Sequence, residues 1–181
     1  MFGIGESDTN ALTLLKEDHR QVEELFKQYE SQKEEGSGAE KTKTAQLICV
    51  ALTVHATIEE EIFYPAVRRA LDEDGKEVVD EAAVEHQSLK DIIGRLEAAP
   101  PSDPLYDAGV KVLSEYVKHH VKEEESELFP KVRSSDLDLD TVGQQLLDRK
   151  AELESAGQAS KPRRGNSGTR GWPPLGQRSS A

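Results

Sequence analysis

Two stretches of the chain, His55–Pro65 and His120–Pro130, repeat the same pattern of side chains. Each starts with a histidine, has glutamates four and five residues later, an aromatic residue at the ninth position after the histidine and a proline at the tenth. Residues four apart lie one turn above each other on one face of an α-helix. An imidazole stacked in this way over a carboxylate is half of a chelate for a divalent cation. The repeat therefore predicts two helices that each carry half of a metal site.

Apolar residues recur at intervals of three and four positions in five segments, which is typical of amphipathic helices. The predicted helices cover residues 9–35, 39–71, 76–98, 104–132 and 138–156. Short polar connections between the first four predict antiparallel neighbours in an up-down-up-down four-helix bundle. The fifth is predicted to be an additional C-terminal helix that lies across the bundle. The predicted fold class is therefore all-α.

The second predicted helix contains Pro65, which cannot donate a hydrogen bond to the carbonyl four residues earlier, so a kink is expected there. A regular helical spacing through this region places Ile62, Ala66 and Ala70 on the core face. Residues 1–157 are predicted to form one domain. Residues 158–181, rich in Gly, Ser, Pro and Arg, are predicted to form a disordered basic tail.

The charge of the chain bears on its partners. The net charge is −12, although residues 158–181 contain five basic residues and no acidic one. The preceding body is therefore strongly acidic, which disfavours nucleic acid as a main partner because phosphates would be repelled. An acidic body does suit a protein that handles cations.

The sequence also bears on localisation. It has no run of about 18 uncharged apolar residues, and Met1–Asp8 lacks the basic and apolar regions of a secretory signal. The single cysteine, Cys49, cannot form an internal disulfide and is predicted to be a small buried hydrophobe. These features predict a cytoplasmic protein that does not associate with a membrane.

Each of the four main predicted helices places one histidine on its apolar face; these are His19, His55, His86 and His120. Burial of these imidazoles together with the carboxylates of Glu59 and Glu124 would cost several kcal/mol per ion without compensation. A central cation removes that cost, and the donors suffice for two ions. Mixed imidazole and carboxylate ligation inside a four-helix bundle favours paired non-haem iron, and manganese or zinc remain alternatives.

The set of His19, His55-x-x-x-Glu59, His86 and His120-x-x-x-Glu124 resembles the hemerythrin-like domain, the HHE cation-binding family, over about residues 10–133. This resemblance implies a four-helix bundle that holds an oxo- or hydroxo-bridged diiron centre and meets dioxygen or related small oxidants. It also implies that the four histidines are terminal ligands and that Glu59 and Glu124 are bridges.

The sequence departs from the respiratory hemerythrins at one position, because Lys90 stands where they have a second histidine on the third helix. A protonated lysine is not a ligand, so one iron would be left with fewer protein ligands, or be completed by water, by a deprotonated Lys90 or by a spare carboxylate. The candidate carboxylates are Glu23, Glu60 and Glu125, although a solvated acidic face is the favoured interpretation of each. His119, next to His120, points about 100° away on the helix and is expected outside the ligand set. An open ligand position favours reactivity or metal exchange over reversible oxygen carriage.

The sequence thus predicts a non-haem diiron protein that binds or senses dioxygen, peroxide or nitric oxide. Two alternatives stay open: an iron storage or metal-homeostasis protein, and a peroxide-decomposing diiron enzyme. A metal-free interaction module is a further alternative. The sequence contains no nucleophile–base triad or phosphate-binding glycine loop.

Overall fold

The structure is a computed structural model that describes residues 9–35 and 38–159, and within these ranges every regular element is helical. The helices are α1 Ala11–Glu35, α2 Gly38–Ile58, α3 Tyr64–Ala70, α4 Glu73–Ala98, α5 Tyr106–Glu123, α6 Phe129–Arg133 and α7 Leu139–Ala159, with π-helical turns at Glu59–Phe63 and Glu124–Leu128. The predicted all-α class and additional C-terminal helix are confirmed. The predicted tail lies outside the described residues beyond the end of α7, so the division at residue 157 stays a prediction.

The bundle has four helical arms: α1, the continuous segment α2–α3, α4, and the continuous segment α5–α6. A π-helical turn joins the two α-helices within each continuous segment. Helix α1 packs on α2 and α4 packs on α5, while contacts of α2 with α4 and of α1 with α5 close the bundle. Its apolar side chains form two clusters, one around Leu15 of α1 and the other around Val22 of the same helix. His19 lies between these residues, so a polar layer is enclosed between two apolar ones.

The regular core faces predicted for the first, third and fourth helices are confirmed. All of their members are buried: Leu12, Leu15, His19, Val22, Phe26 and Tyr29; Val79, Ala82, His86, Leu89, Ile93 and Leu96; and Val110, Leu113, Val117, His120 and Glu124. Periodicity predicted these faces correctly because each of the helices is a regular α-helix over the predicted positions.

Beyond Glu59, the core face predicted for the second helix was confirmed at Ala66 but wrong at Ile62 and Ala70. In the π-helical turn the N–H of Tyr64 bonds to the carbonyl of Glu59, five residues earlier, so the turn holds one residue more than an α-helical turn. Ile62 is only partly buried and Ala70 is exposed, while Phe63 and Val67 are fully buried. The wider turn directly precedes Pro65, the position of the expected kink.

Helix α7 lies against α1 and α2, with Val142 and Leu146 buried and Leu139 and Leu153 partly buried. Gly143 permits this approach, because a Cβ at this position would lie 1.6 Å from the carbonyl oxygen of Thr9. The fifth helix therefore covers two arms of the bundle as predicted.

Across the part of the chain that the structure describes, none of the helices combines the length and the apolar character needed to cross a membrane.

Candidate metal centre

All six side chains predicted to bind metal are buried, and the structure brings them together in two adjacent groups. Potential ligand atoms within each group lie within 4.8 Å of one another: His19, His55, Glu59 and Glu124 in the first group, and Glu59, His86 and His120 in the second. Glu59 belongs to both groups. Its Oε2 lies 3.1 Å from His55 Nε2 and 3.4 Å from His86 Nε2.

The second carboxylate, Glu124, lies between the histidines of α1 and α5, whereas Glu59 lies between those of α2 and α4. Its Oε2 lies 3.4 Å from His19 Nε2 and 3.6 Å from His120 Nε2. Both His-x-x-x-Glu pairs keep α-helical spacing, because each π-helical turn begins only at the glutamate. The repeat therefore stacks imidazole over carboxylate as the sequence indicates.

Several buried polar atoms at this centre have no hydrogen-bond partner among the described residues. They are His19 Nε2, both ring nitrogens of His55, both carboxylate oxygens of Glu59, and Glu124 Oε2. An unsatisfied buried carboxylate is costly, and a cation held between these atoms removes that cost. Imidazole nitrogens and carboxylate oxygens suit a divalent transition-metal ion. The residues present therefore fit a metal-binding site.

A carboxylate faces the Nδ1 of each of the four histidines, on the side away from the centre. The four pairs are His19 with Glu125 at 2.8 Å, His55 with Asp18 at 3.5 Å, His86 with Glu60 at 3.1 Å and His120 with Glu85 at 2.8 Å. Ionised carboxylates only accept hydrogen bonds, so the proton of a neutral imidazole at His19, His86 and His120 belongs on Nδ1. At His55 the negative charge of Asp18 favours the same tautomer. The Nε2 lone pair is then directed at the centre, which is how protein metal sites orient histidine ligands.

The three carboxylates considered as spare ligands have other places in the structure. Glu60 and Glu125 orient histidines of neighbouring helices. Glu23 is exposed and pairs with Lys27 on α1 at 3.4 Å. The second glutamate of each repeat therefore supports the site from outside, and Glu23 belongs to the surface.

The orienting role of Asp18 and Glu85 was not predicted from the sequence, although a signal for it is present. Asp18 directly precedes His19 and Glu85 directly precedes His86. Each orients a histidine of another helix instead of its neighbour in sequence. The useful signal is therefore an acidic residue adjacent in sequence to a ligand candidate.

Lys90 and Tyr64 occupy the edge of the centre. Lys90 Nζ lies 2.7 Å from Glu60 Oε1 and so holds the carboxylate that faces His86. The buried hydroxyl of Tyr64 donates a 2.8 Å hydrogen bond to Glu124 Oε1 and lies 3.3 Å from His86 Nε2. Sequence analysis noted Tyr64 only as the aromatic residue of the first repeat.

The second repeat has Phe129 at the position equivalent to Tyr64. Its ring is stacked on the imidazole of His19, with ring centroids 6.0 Å apart and ring planes at 6°. The two repeats therefore differ in chemistry at this position, because only the tyrosine can donate a hydrogen bond into the centre.

Imidazoles and carboxylates at the centre shift one another's pKa values. Burial opposes protonation of His55, but the charge of Glu59 and the Asp18 carboxylate raise the pKa of His55 to about 10. Burial would raise the pKa of Glu124, but His19 and the other imidazoles lower it to about 2. Burial lowers the pKa of His86. A proton on His55 and a cation at the centre therefore compete for the same site.

A small cavity of about 20 Å³ adjoins the centre. Its lining includes the four buried histidines, the charged side chains of Asp18 and Lys90, and apolar residues among which are Leu52, Leu89, Ile93 and Val117. Space of this size holds about one water-sized molecule.

Comparisons with known proteins agree with this architecture. A hemerythrin HHE cation-binding domain-containing protein from Mycobacterium kansasii has a crystal structure that matches with a TM-score of 0.69 at 22% identity, covering 83% of this chain and 90% of that one, and so shares the fold. A DNA nickase from Nostoc sp. (strain PCC 7120) is 31% identical over 134 residues, which are 74% of this chain and 36% of the nickase. An uncharacterized hemerythrin-like protein of Schizosaccharomyces pombe is 25% identical over 113 residues, covering 62% of this chain and 54% of that protein.

The chain thus spans 36% and 54% of the length of these two relatives. Its own match to a family model is longer than half of the chain, since it extends over residues 10–132. That family model describes the hemerythrin HHE cation binding domain, and this chain belongs to the family.

Proposed function

We propose that the buried centre holds two iron ions and that the protein binds or senses dioxygen or a related small oxidant such as peroxide or nitric oxide. The observation that carries this proposal is the position of Glu59. It is the one residue shared by the two candidate ligand groups, and both of its oxygens lack a hydrogen-bond partner among the described residues. A carboxylate shared by both groups would help to hold both ions.

Iron is favoured by the combination of ligands and fold, because imidazole and carboxylate donors inside a four-helix bundle are typical of paired non-haem iron. The same donors also accept manganese or zinc, so metal analysis is part of the test. When bound, ferrous ions would supply the electrons for reaction with a small oxidant. The chain supplies the orientation of Nε2 lone pairs, through the carboxylates that face each Nδ1.

The small cavity supports an uncharged diatomic ligand. Leu52, Leu89, Ile93 and Val117 give the space beside the histidines an apolar wall, against which an uncharged molecule loses little hydration.

Catalytic decomposition of peroxide is a second candidate. The observation that favours it is the smaller donor set of the second group, which has three residues where the first has four. Lys90 adds no donor there because it is paired with Glu60. An ion with fewer protein ligands keeps positions open for a reactant.

The Nostoc relative is named for an activity on DNA, but this chain aligns with only 36% of it. We expect no DNA nicking by this chain, because its net charge of −12 repels phosphate. Incubation of the iron-loaded protein with supercoiled plasmid tests this expectation, and conversion to the open circular form would contradict it.

Iron stoichiometry and absorption test the main proposal. The purified protein is loaded anaerobically with ferrous ion, passed over a chelating column and analysed; two irons per chain are expected. His19→Ala and His86→Ala should each retain less iron, because the first removes a donor from one group and the second from the other. Glu23→Gln serves as the control with an exposed carboxylate.

The spectrum separates the candidate functions. Reversible charge-transfer bands on cycling between air and reductant support oxidant binding, while oxygen evolution from added peroxide supports the enzyme. The proposal is overturned if the wild-type protein retains no iron, or if His86→Ala retains as much as Glu23→Gln.

A further inference from the structure

We propose that Glu85, His119 and Glu123 form a second cation site, at the surface of the bundle. His119 Nε2 lies 3.4 Å from Glu85 Oε1 and 3.2 Å from Glu123 Oε1. One potential ligand atom from each of the three residues lies within 4.8 Å of the others. The three residues come from α4 and α5, so the site joins two neighbouring helices.

The sequence of α5 builds this site by the same local rule as the interior one. His119 and Glu123 are four residues apart, as are His120 and Glu124 directly after them. Adjacent residues point about 100° apart on a helix, so the two His-x-x-x-Glu pairs face different directions. His120 and Glu124 are buried, while the side chain of His119 is 60% exposed.

The charge around His119 favours a cation. Among residues 11–35 and 38–159, no lysine or arginine nitrogen forms an ion pair within 4.0 Å of a carboxylate oxygen of Glu85 or Glu123. The ion pairs of these two glutamates are with histidines. Glu115 of the same helix is instead paired with Lys111. Two carboxylates that share one imidazole carry excess negative charge at neutral pH, and a divalent ion neutralises it.

The donors define the class of ion. One imidazole nitrogen and two carboxylate oxygens suit a borderline divalent transition ion such as Zn²⁺ or Fe²⁺ better than a soft ion, which prefers thiolates. Because His119 is exposed and Glu123 partly so, water can complete the coordination. The site is therefore open to exchange with the surrounding solution.

Glu85 links the surface site to the buried one. While its Oε1 faces His119, its Oε2 lies 2.8 Å from His120 Nδ1. An ion held at the surface would share Glu85 with a histidine of the interior centre. This link to the iron centre rests on the proposed function, whereas the surface site itself does not.

Calorimetric titration of the iron-loaded, full-length protein with Zn²⁺ tests the surface site. Wild type and the control Glu115→Gln should take up one more Zn²⁺ per chain than His119→Ala or Glu123→Gln, or bind it at least about tenfold more tightly. All four proteins have the same interior residues, so the difference between them holds whether or not the interior retains iron. Equal uptake by wild type and both variants would overturn the proposal.

Nitrogen NMR of the histidine side chains gives an independent readout. The Nε2 resonance of His119 should move with the added Zn²⁺ equivalent, and it is assigned by its absence in His119→Ala. An unchanged His119 resonance at saturating Zn²⁺ would also overturn the proposal. Because this side chain is exposed, its replacement should leave the fold intact.

Discussion

Replacement of Glu59 by glutamine should abolish the stabilisation of the protein by metal. Glu59 is fully buried and both of its oxygens lack a hydrogen-bond partner among the described residues. Glutamine has nearly the same shape but is neutral, and its amide is a weak donor to a cation. Since Glu59 belongs to both candidate groups, this single change weakens both together.

The size of the effect follows from linkage between binding and folding. A ligand that binds only the folded state, at a free concentration of a hundred times its Kd, adds about 2.7 kcal/mol to the free energy of unfolding. For a chain of 181 residues each kcal/mol corresponds to about 2–4 °C in Tm. Each ferrous ion bound in this way should therefore raise the Tm of the wild-type protein by about 5–11 °C, and two ions by about 11–22 °C. Glu59→Gln should show less than about a quarter of this shift.

Thermal melting followed by far-ultraviolet circular dichroism, with and without ferrous ion under anaerobic conditions, measures both shifts. Glu23→Gln is the matched control, because it makes the same chemical change at an exposed glutamate paired with Lys27. The reasoning is refuted if Glu59→Gln keeps the full shift, or if the wild-type Tm does not respond to ferrous, manganous or zinc ion.

Three further predictions follow from the same contacts. Tyr64→Phe removes the 2.8 Å hydrogen bond to buried Glu124 and should lower the free energy of unfolding of the metal-free protein by about 1–3 kcal/mol in urea titrations; no change would contradict it. Gly143→Ala places a Cβ against the backbone of Thr9 and should lower the free energy of unfolding by about 1–3 kcal/mol. Gly94→Ala, with open space around it, should raise the free energy of unfolding by up to about 1 kcal/mol. Urea titration measures both changes, and equal stability of the two variants would contradict the prediction. Because the pKa of His55 is raised to about 10, a proton occupies its lone pair at neutral pH and has to leave when ferrous ion binds. Ferrous loading should therefore release protons, measured with an indicator dye in weak buffer, and the apparent affinity should fall about tenfold per displaced proton from pH 8 to pH 7. An affinity for ferrous ion that does not depend on pH would contradict this.

Local periodicity identified the candidate ligands, whose binding of metal stays a prediction. The six candidate ligands could be found in sequence because the His-x-x-x-Glu spacing stacks two donors on any α-helix, and because His19 and His86 interrupt otherwise apolar faces. Periodicity failed after Glu59, where the π-helical turn shifts the core face from Ile62 to Phe63. A proline at the end of the repeat indicates a disturbed helix, but not which hydrogen bonds replace the lost one.

The sequence by itself determined the helices, the apolar faces of the regular ones and the pairing of each histidine with the glutamate four residues on, because all of these depend on backbone geometry within a few residues. Only the tertiary structure decided that Glu59 belongs to both donor groups, that Glu60 and Glu125 support the histidines of other helices, and that Lys90 is held by Glu60. These contacts depend on the rotation and approach of separate helices. That rotation is set by packing of the whole core, which no short stretch of sequence contains.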